Sequence, residues 1–226
     1  MQLTKQSLLV MQVHYHPRVD SDQVDQTTVN LRRASTTSPD YIGLVQLFGN
    51  ADGTEAASSP LQRSAQPDDP TTGPKFRILA DTTTHREDDV LTLPDTVSGY
   101  PLPELHVLAA GTHAHWVAND IAINVHRTAA TATDPQDECL VETPQWNFNW
   151  QRSYWYDATI EDTPALHAGD RLTVHCAYNN TMKNEFVARE LMQAHETSPQ
   201  DVYLGESTQD EMCLGVVVLA YKNPLK

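Results

Sequence analysis

The residues best equipped for chemistry lie in Gly111-Thr112-His113-Ala114-His115-Trp116. On an extended strand alternate side chains share a face. His113 and His115 then point the same way with Ala114 opposite, and two imidazoles so placed both reach one metal ion at about 2 Å. A bare His-x-His is more often two polar residues on a solvent-facing strand. A second element, Glu211-Met212-Cys213-Leu214-Gly215, opens the final apolar strand. Alone, Met212 reads as core filler. Beside two imidazoles, its thioether would complete a donor set suited to copper, Cu(I) above all, rather than zinc or calcium. Spacing alone does not bring residue 212 to residues 113 and 115. In His14-Tyr15-His16 the two histidines also share a strand face, and they either bind a metal themselves or simply end a strand. His106, His126, His167, His175 and His195 are scattered and read as structural or exposed. The acidic pairs Asp68-Asp69 and Asp88-Asp89 read as solvated loop residues, and Asn179-Asn180-Thr181 fits a glycosylation sequon.

Other chemistries lack their residues. No GxSxG elbow, Walker or Rossmann glycine pattern or HExxH occurs. The three cysteines, Cys139, Cys176 and Cys213, form no CxxC pair, so a zinc ribbon is not indicated. One disulfide plus a free thiol fits them, as do three reduced thiols. Thirty acidic residues against 15 basic ones give a net charge of −15, which repels phosphate backbones and anionic lipid surfaces. Nucleic-acid and membrane partners are therefore not expected. The apolar runs at 8–13 and 214–221 are too short to span a bilayer, and Met1-Gln2-Leu3-Thr4-Lys5 lacks the features of a signal peptide.

The elements that must position these residues read as strands. Fourteen prolines, nine glycines and an apolar fraction of 39%, with no long 3.6-residue periodicity, suit many short strands in 226 residues. Strands are expected at 8–16, 42–48, 76–79, 105–109, 113–117, 121–126, 150–157, 172–178 and 212–221, with a weaker one at 29–32. Residues 49–74, rich in Ser, Ala, Asp, Pro and Gly, read as a mobile surface loop. Only residues 185–195, EFVARELMQAH, look helical. The expected fold is all-β, a jelly-roll-like antiparallel β-sandwich.

Taken in order, LLVMQVHYH (8–16), GTHAHWVANDIAINV (111–125), ETPQWNFNWQRSYWYD (142–157), HAGDRLTVHCAYNNTM (167–182) and LGESTQDEMCLG (204–215) resemble the copper type II, ascorbate-dependent monooxygenases. That family includes dopamine β-monooxygenase and peptidylglycine α-hydroxylating monooxygenase, and the wording is most similar to its bacterial members. The likeness is strong over 105–221 and thin over 17–104. It implies two jelly-roll domains, each holding one copper. One copper, on two His and a Met, activates O2 for hydroxylation of a substrate C–H bond. The other, on three His, passes an electron, and ascorbate re-reduces both. By motif, His113, His115 and Met212 fall on the O2-activating site. His14 falls on the third ligand of the electron-transfer site, with His16 a weaker neighbour. The family's disulfide falls on Cys176 and Cys213, leaving Cys139 unpaired.

Two departures matter. No adjacent His-His pair occurs here, although the electron-transfer site needs one from an upstream domain. Residues 1–17 then read as the last strand of that upstream copper domain, 18–104 as a partly extended segment, and 105–226 as the methionine-site domain, with 18–226 one sandwich unit. The chain is either part of a longer protein or has lost the second copper. In addition, the arginine that anchors a peptide carboxylate, two places before the first metal histidine, is here Gly111, so a glycine-extended peptide is not the expected substrate. The resemblance implies a secreted or periplasmic copper monooxygenase domain acting on a small-molecule or peptide-like substrate. The isolated chain is expected to be inactive or weakly active. Its alternatives are a copper-binding or structural module without the activity, and a small-molecule-binding sandwich without metal.

Overall fold

The computed structural model describes residues 39–226, together with 24–30 and Leu8, Val10, Met11 and Val13. His14 and His16, and most of the expected strand at 8–16, lie outside the described residues. Val29 and Asn30 are not in a strand. In chain order the strands are β1 (Tyr41–Gly49), β2 (Leu61–Arg63), β3 (Arg77–Ile78), β4 (Arg86–Thr92), β5 (Thr96–Val97), β6 (Tyr100–Pro101) and β7 (Leu105–His113). There follow β8 (Ala118–His126), β9 (Asp137–Thr143), β10 (Ser153–Trp155), β11 (Ala165–Leu166) and β12 (Arg171–Tyr178). The α-helix α1 (Glu185–Gln193), the only one among the described residues, precedes β13 (Val202–Tyr203) and β14 (Leu214–Lys222).

Two antiparallel sheets face each other. One runs β1-β14-β7-β10, with β11 also on β7, and the other runs β2-β4-β12-β8-β9. The chain passes repeatedly from one sheet to the other, which is the jelly-roll-like sandwich expected. Alternation builds it. In β12, Leu172, Val174, Cys176 and Tyr178 are buried and the residues between them are not. In β14, Gly215, Val217 and Leu219 face in while Leu214, Val216 and Val218 do not. Val107, Ile121, Ile123, Leu166, Leu172 and Val217 are fully enclosed in the core between the sheets. No helix among the described residues is long and apolar enough to cross a membrane.

Three expectations need correction. Residues 49–74 are not simply a loop, because β2 lies within them and pairs with β4. Arg63 in β2, 2% exposed, donates to both oxygens of Glu87 and both of Asp69, and charge-assisted, bidentate bonds of this kind hold a polar segment that has little apolar area of its own. Secondly, Asp88 and Asp89 lie in β4, not in a loop. The pleat sends Glu87, Asp89 and Leu91 inward, and both carboxylates are fully buried. Asp68-Asp69 likewise is engaged, Asp69 by Arg63 and Asp68 by His85. Thirdly, the expected strand 113–117 is divided, since β7 ends at His113 and β8 begins at Ala118.

Candidate metal centre

His113 closes β7 and His115 sits in the tight connection to β8. In β7 Ala110 packs in the core and Thr112 is buried, and Ala114 beyond the strand also packs in the core. The alternate positions, Gly111, His113 and His115, therefore take the other side. The two rings remain together after the strand ends, with centroids 5.5 Å apart and planes at 87°. His113 is half-buried and His115 is buried.

Each imidazole is oriented through Nδ1. His113 Nδ1 lies 2.6 Å from Gln151 Oε1, and His115 Nδ1 lies 2.8 Å from the Asp210 carbonyl oxygen. Both partners are oxygen acceptors, so Nδ1 is the donor in each ring. An imidazole that ligates through one nitrogen while the other donates to oxygen is the usual arrangement around a protein-bound metal. A shared ion about 2 Å from each ring nitrogen would set the ring centres about 4.5–6 Å apart, and the observed separation falls in that range.

Met212 reaches this place through β14. Leu214 pairs with His113 in the antiparallel register. Two residues further back, the backbone N–H groups of Met212 and His115 donate to the same oxygen, Glu211 Oε1. Contacts on either side of it agree. Asp210 accepts from His115, and the Glu211 carboxylate accepts from the backbone N–H groups of His115, Val117 at 3.0 Å and Met212 at 2.8 Å. Glu211 is fully enclosed. Burial pushes its carboxyl up to about 8 against those donors, which favour the charged form. One carboxylate thus ties the 115–118 turn to the start of β14.

The surroundings are built from residues whose role the sequence did not disclose. The Trp146 indole N–H donates to the His115 carbonyl at 2.6 Å, and Phe148 meets the His115 ring edge-on at 6.1 Å. The Trp116 indole N–H donates to the Thr208 carbonyl, and Asn184 Nδ2 donates to the Trp116 carbonyl at 2.9 Å. Behind Met212, Cys176 and Cys213 form a disulfide with Cα atoms 5.8 Å apart, joining β12 to β14. Cys139 is free and exposed. Tyr178, also on β12, donates to the Met212 carbonyl at 2.9 Å. Gly49 closes the back of the same turn at φ +120°, where a Cβ would come within 2.1 Å of the Cys213 carbonyl oxygen. Asn50 then exchanges two hydrogen bonds with Cys213.

Gly111 has no room for a side chain. A Cβ there would lie 2.7 Å from Ser153 Oγ and 3.0 Å from the Arg152 carbonyl oxygen, because β10 runs directly across it. Among the described residues, no group of three or more His, Cys, Asp and Glu side chains is arranged to hold a metal ion. The sequence matches no known protein family and no curated protein.

Proposed function

We propose that the chain is the methionine-site copper domain of an ascorbate-dependent monooxygenase, with His113, His115 and Met212 as the metal ligands. The observation that carries this reading is the matched orientation of the two imidazoles, both Nδ1 atoms committed to oxygen acceptors and both rings within 5.5 Å. The motif order from 105 to 221 supports it. When bound, copper supplies dioxygen binding and one-electron chemistry, and ascorbate is the external reductant.

The chain's own residues hold and shield the ligands. Gln151 and Asp210 hold the two Nδ1 atoms, so a metal on these rings would be met by Nε2. Glu211 fixes His115 and Met212 to one carboxylate. Phe148 and Trp146 cover the His115 side and limit its access to water. At Gly111 there is no side chain to meet a substrate carboxylate, and β10 occupies the space where one would project. The substrate is therefore not a glycine-extended peptide.

Equilibrium dialysis against copper, followed by oxygen-electrode assays with ascorbate, tests the proposal. One copper per chain is expected, falling to background in His113→Ala and His115→Ala, together with copper-dependent oxygen uptake. Copper bound without any ascorbate-dependent oxygen uptake would leave a binding module in place of an oxygenase. A chain that retains no copper would refute both.

A further inference from the structure

Among the described residues, Asp89 is the acidic residue that keeps a buried side-chain atom without a hydrogen-bond partner. It is fully enclosed; Oδ2 accepts from the Ala51 N–H at 3.0 Å, and Oδ1 is the unpartnered atom. The charged and titratable groups around it are Glu87 on β4, Arg63 on β2, Glu55 in the loop after β1 and Tyr178 on β12. The possible donors among them are engaged elsewhere. Arg63 is paired with Glu87 and Asp69, Glu87 also meets His85, and the Tyr178 hydroxyl donates to the Met212 carbonyl. Ionised, Asp89 is therefore a buried charge with one N–H bond, a costly arrangement. Burial accordingly raises its pKa to about 7.

Ala51, the residue that Asp89 holds, belongs to the turn that backs Met212. Gly49 and Asn50 have φ values of +120° and +55°, and a non-glycine residue keeps such a conformation where its surroundings fix it. The Asn50 N–H donates to the Cys213 carbonyl at 2.9 Å, and Asn50 Oδ1 accepts from the Cys213 N–H at 2.8 Å. The segment 49–51 thus has the Asp89 carboxyl at one end and the residue after Met212 at the other. β4 is held in its sheet by β2 and β12, whereas Asn50 and Ala51 lie outside regular structure. Displacing that turn is the way for water to reach the anion.

We propose that Asp89 is a proton-operated latch on the Met212 turn. Protonated, it leaves segment 49–51 clasping Cys213; ionised, it gives its proton to solvent, loosens the clasp and weakens the hold of the site on Cu(I). The copper half of this statement rests on Met212 being a ligand, and the movement of the turn does not.

NMR of the metal-free, disulfide-intact chain, labelled at backbone nitrogen and methionine methyl carbon, tests the latch between pH 5.5 and 8.5. The Ala51 and Cys213 amides and the Met212 methyl should share a transition near pH 7. Asp89→Asn should remove that transition, leaving in the Met212 methyl any shift that His113 and His115 cause. Asn50→Gly, which tolerates the positive φ but lacks the bond to the Cys213 N–H, should keep the Ala51 transition and reduce that of the Met212 methyl. Competition with a Cu(I) chelator then compares the parent with Asp89→Asn. Their affinities should match at pH 5.5, and the parent should bind about fivefold or more weaker at pH 8.5. Signals that do not move together, a transition that survives in Asp89→Asn, or an affinity ratio equal at both pH values would each overturn the latch. A chain that binds no Cu(I) at either pH would refute the copper reading, and the NMR titration alone would then decide whether the turn moves.

Discussion

Asp89 shows how far a single residue can depart from what its type suggests. It is fully buried, takes one hydrogen bond from the Ala51 N–H at 3.0 Å, and leaves Oδ1 without a partner among the described residues. Burial first, and the nearby Glu87 carboxylate after it, push its pKa from 3.8 up to about 7, against the opposing pull of the Ala51 N–H bond. A carboxyl that holds its proton more tightly when folded contributes stability that is complete below about pH 4 and is lost as pH rises through about 7. At about 1.4 kcal/mol per unit the ceiling is about 4 kcal/mol. Asp89→Asn removes the titration while keeping the shape. Urea unfolding at pH 5 and pH 8 should show the variant gaining on the parent with pH, by up to a few kcal/mol. A constant difference between the two pH values would mean that Asp89 does not titrate as described.

At the scale of elements, β14 and the 114–117 turn carry the site, and both are secured from behind by β12. The Cys176–Cys213 bridge closes a separation of 37 residues, which on a chain-entropy account contributes about 4 kcal/mol. Replacing both cysteines by serine should lower the urea midpoint by a corresponding amount and leave Cys139 the alkylatable thiol in both proteins. Thiol labelling of the native parent at two or three cysteines would contradict the pairing. Much of this element structure was legible in the chain. The expected strands 172–178 and 212–221 correspond to β12 and β14, and 185–195 marked the helix α1, which the structure ends at Gln193. What hydropathy could not show was β2 and β4, whose inward positions are partly filled by Arg63, Glu87 and Asp89. Those residues enter the interior through ion pairs or a raised pKa, and such partners are distant in sequence. The His-x-His pair was visible as a motif, but its separation by a strand end was not. The roles of Gln151, Trp146, Asp210 and Glu211 were also hidden, because each acts through a hydrogen bond to a residue 31 to 96 positions away.

On the scale of the whole molecule, the proposed site would hold a single copper, which delivers one electron at a time, while hydroxylation of a C–H bond by O2 consumes two electrons from the reductant. No His-His pair occurs in the sequence to complete a three-histidine site with His14. The copper-loaded chain given ascorbate should therefore consume oxygen slowly and release hydrogen peroxide, with product appearing only when a His-His-bearing domain is supplied. Peroxide and product assays run side by side check this, and stoichiometric hydroxylation by the chain alone would show that a second site is dispensable.

The central claim is the ligand set, and X-ray absorption at the copper edge addresses it most directly. With one equivalent of Cu(I), the parent should show two nitrogen scatterers of imidazole type and one sulfur. In Met212→Ile, which keeps most of the side-chain volume, the sulfur should disappear while the imidazoles remain and Cu(I) affinity falls. A sulfur contribution unchanged in Met212→Ile, or a parent spectrum without sulfur, would contradict the assignment of His113, His115 and Met212 to one copper.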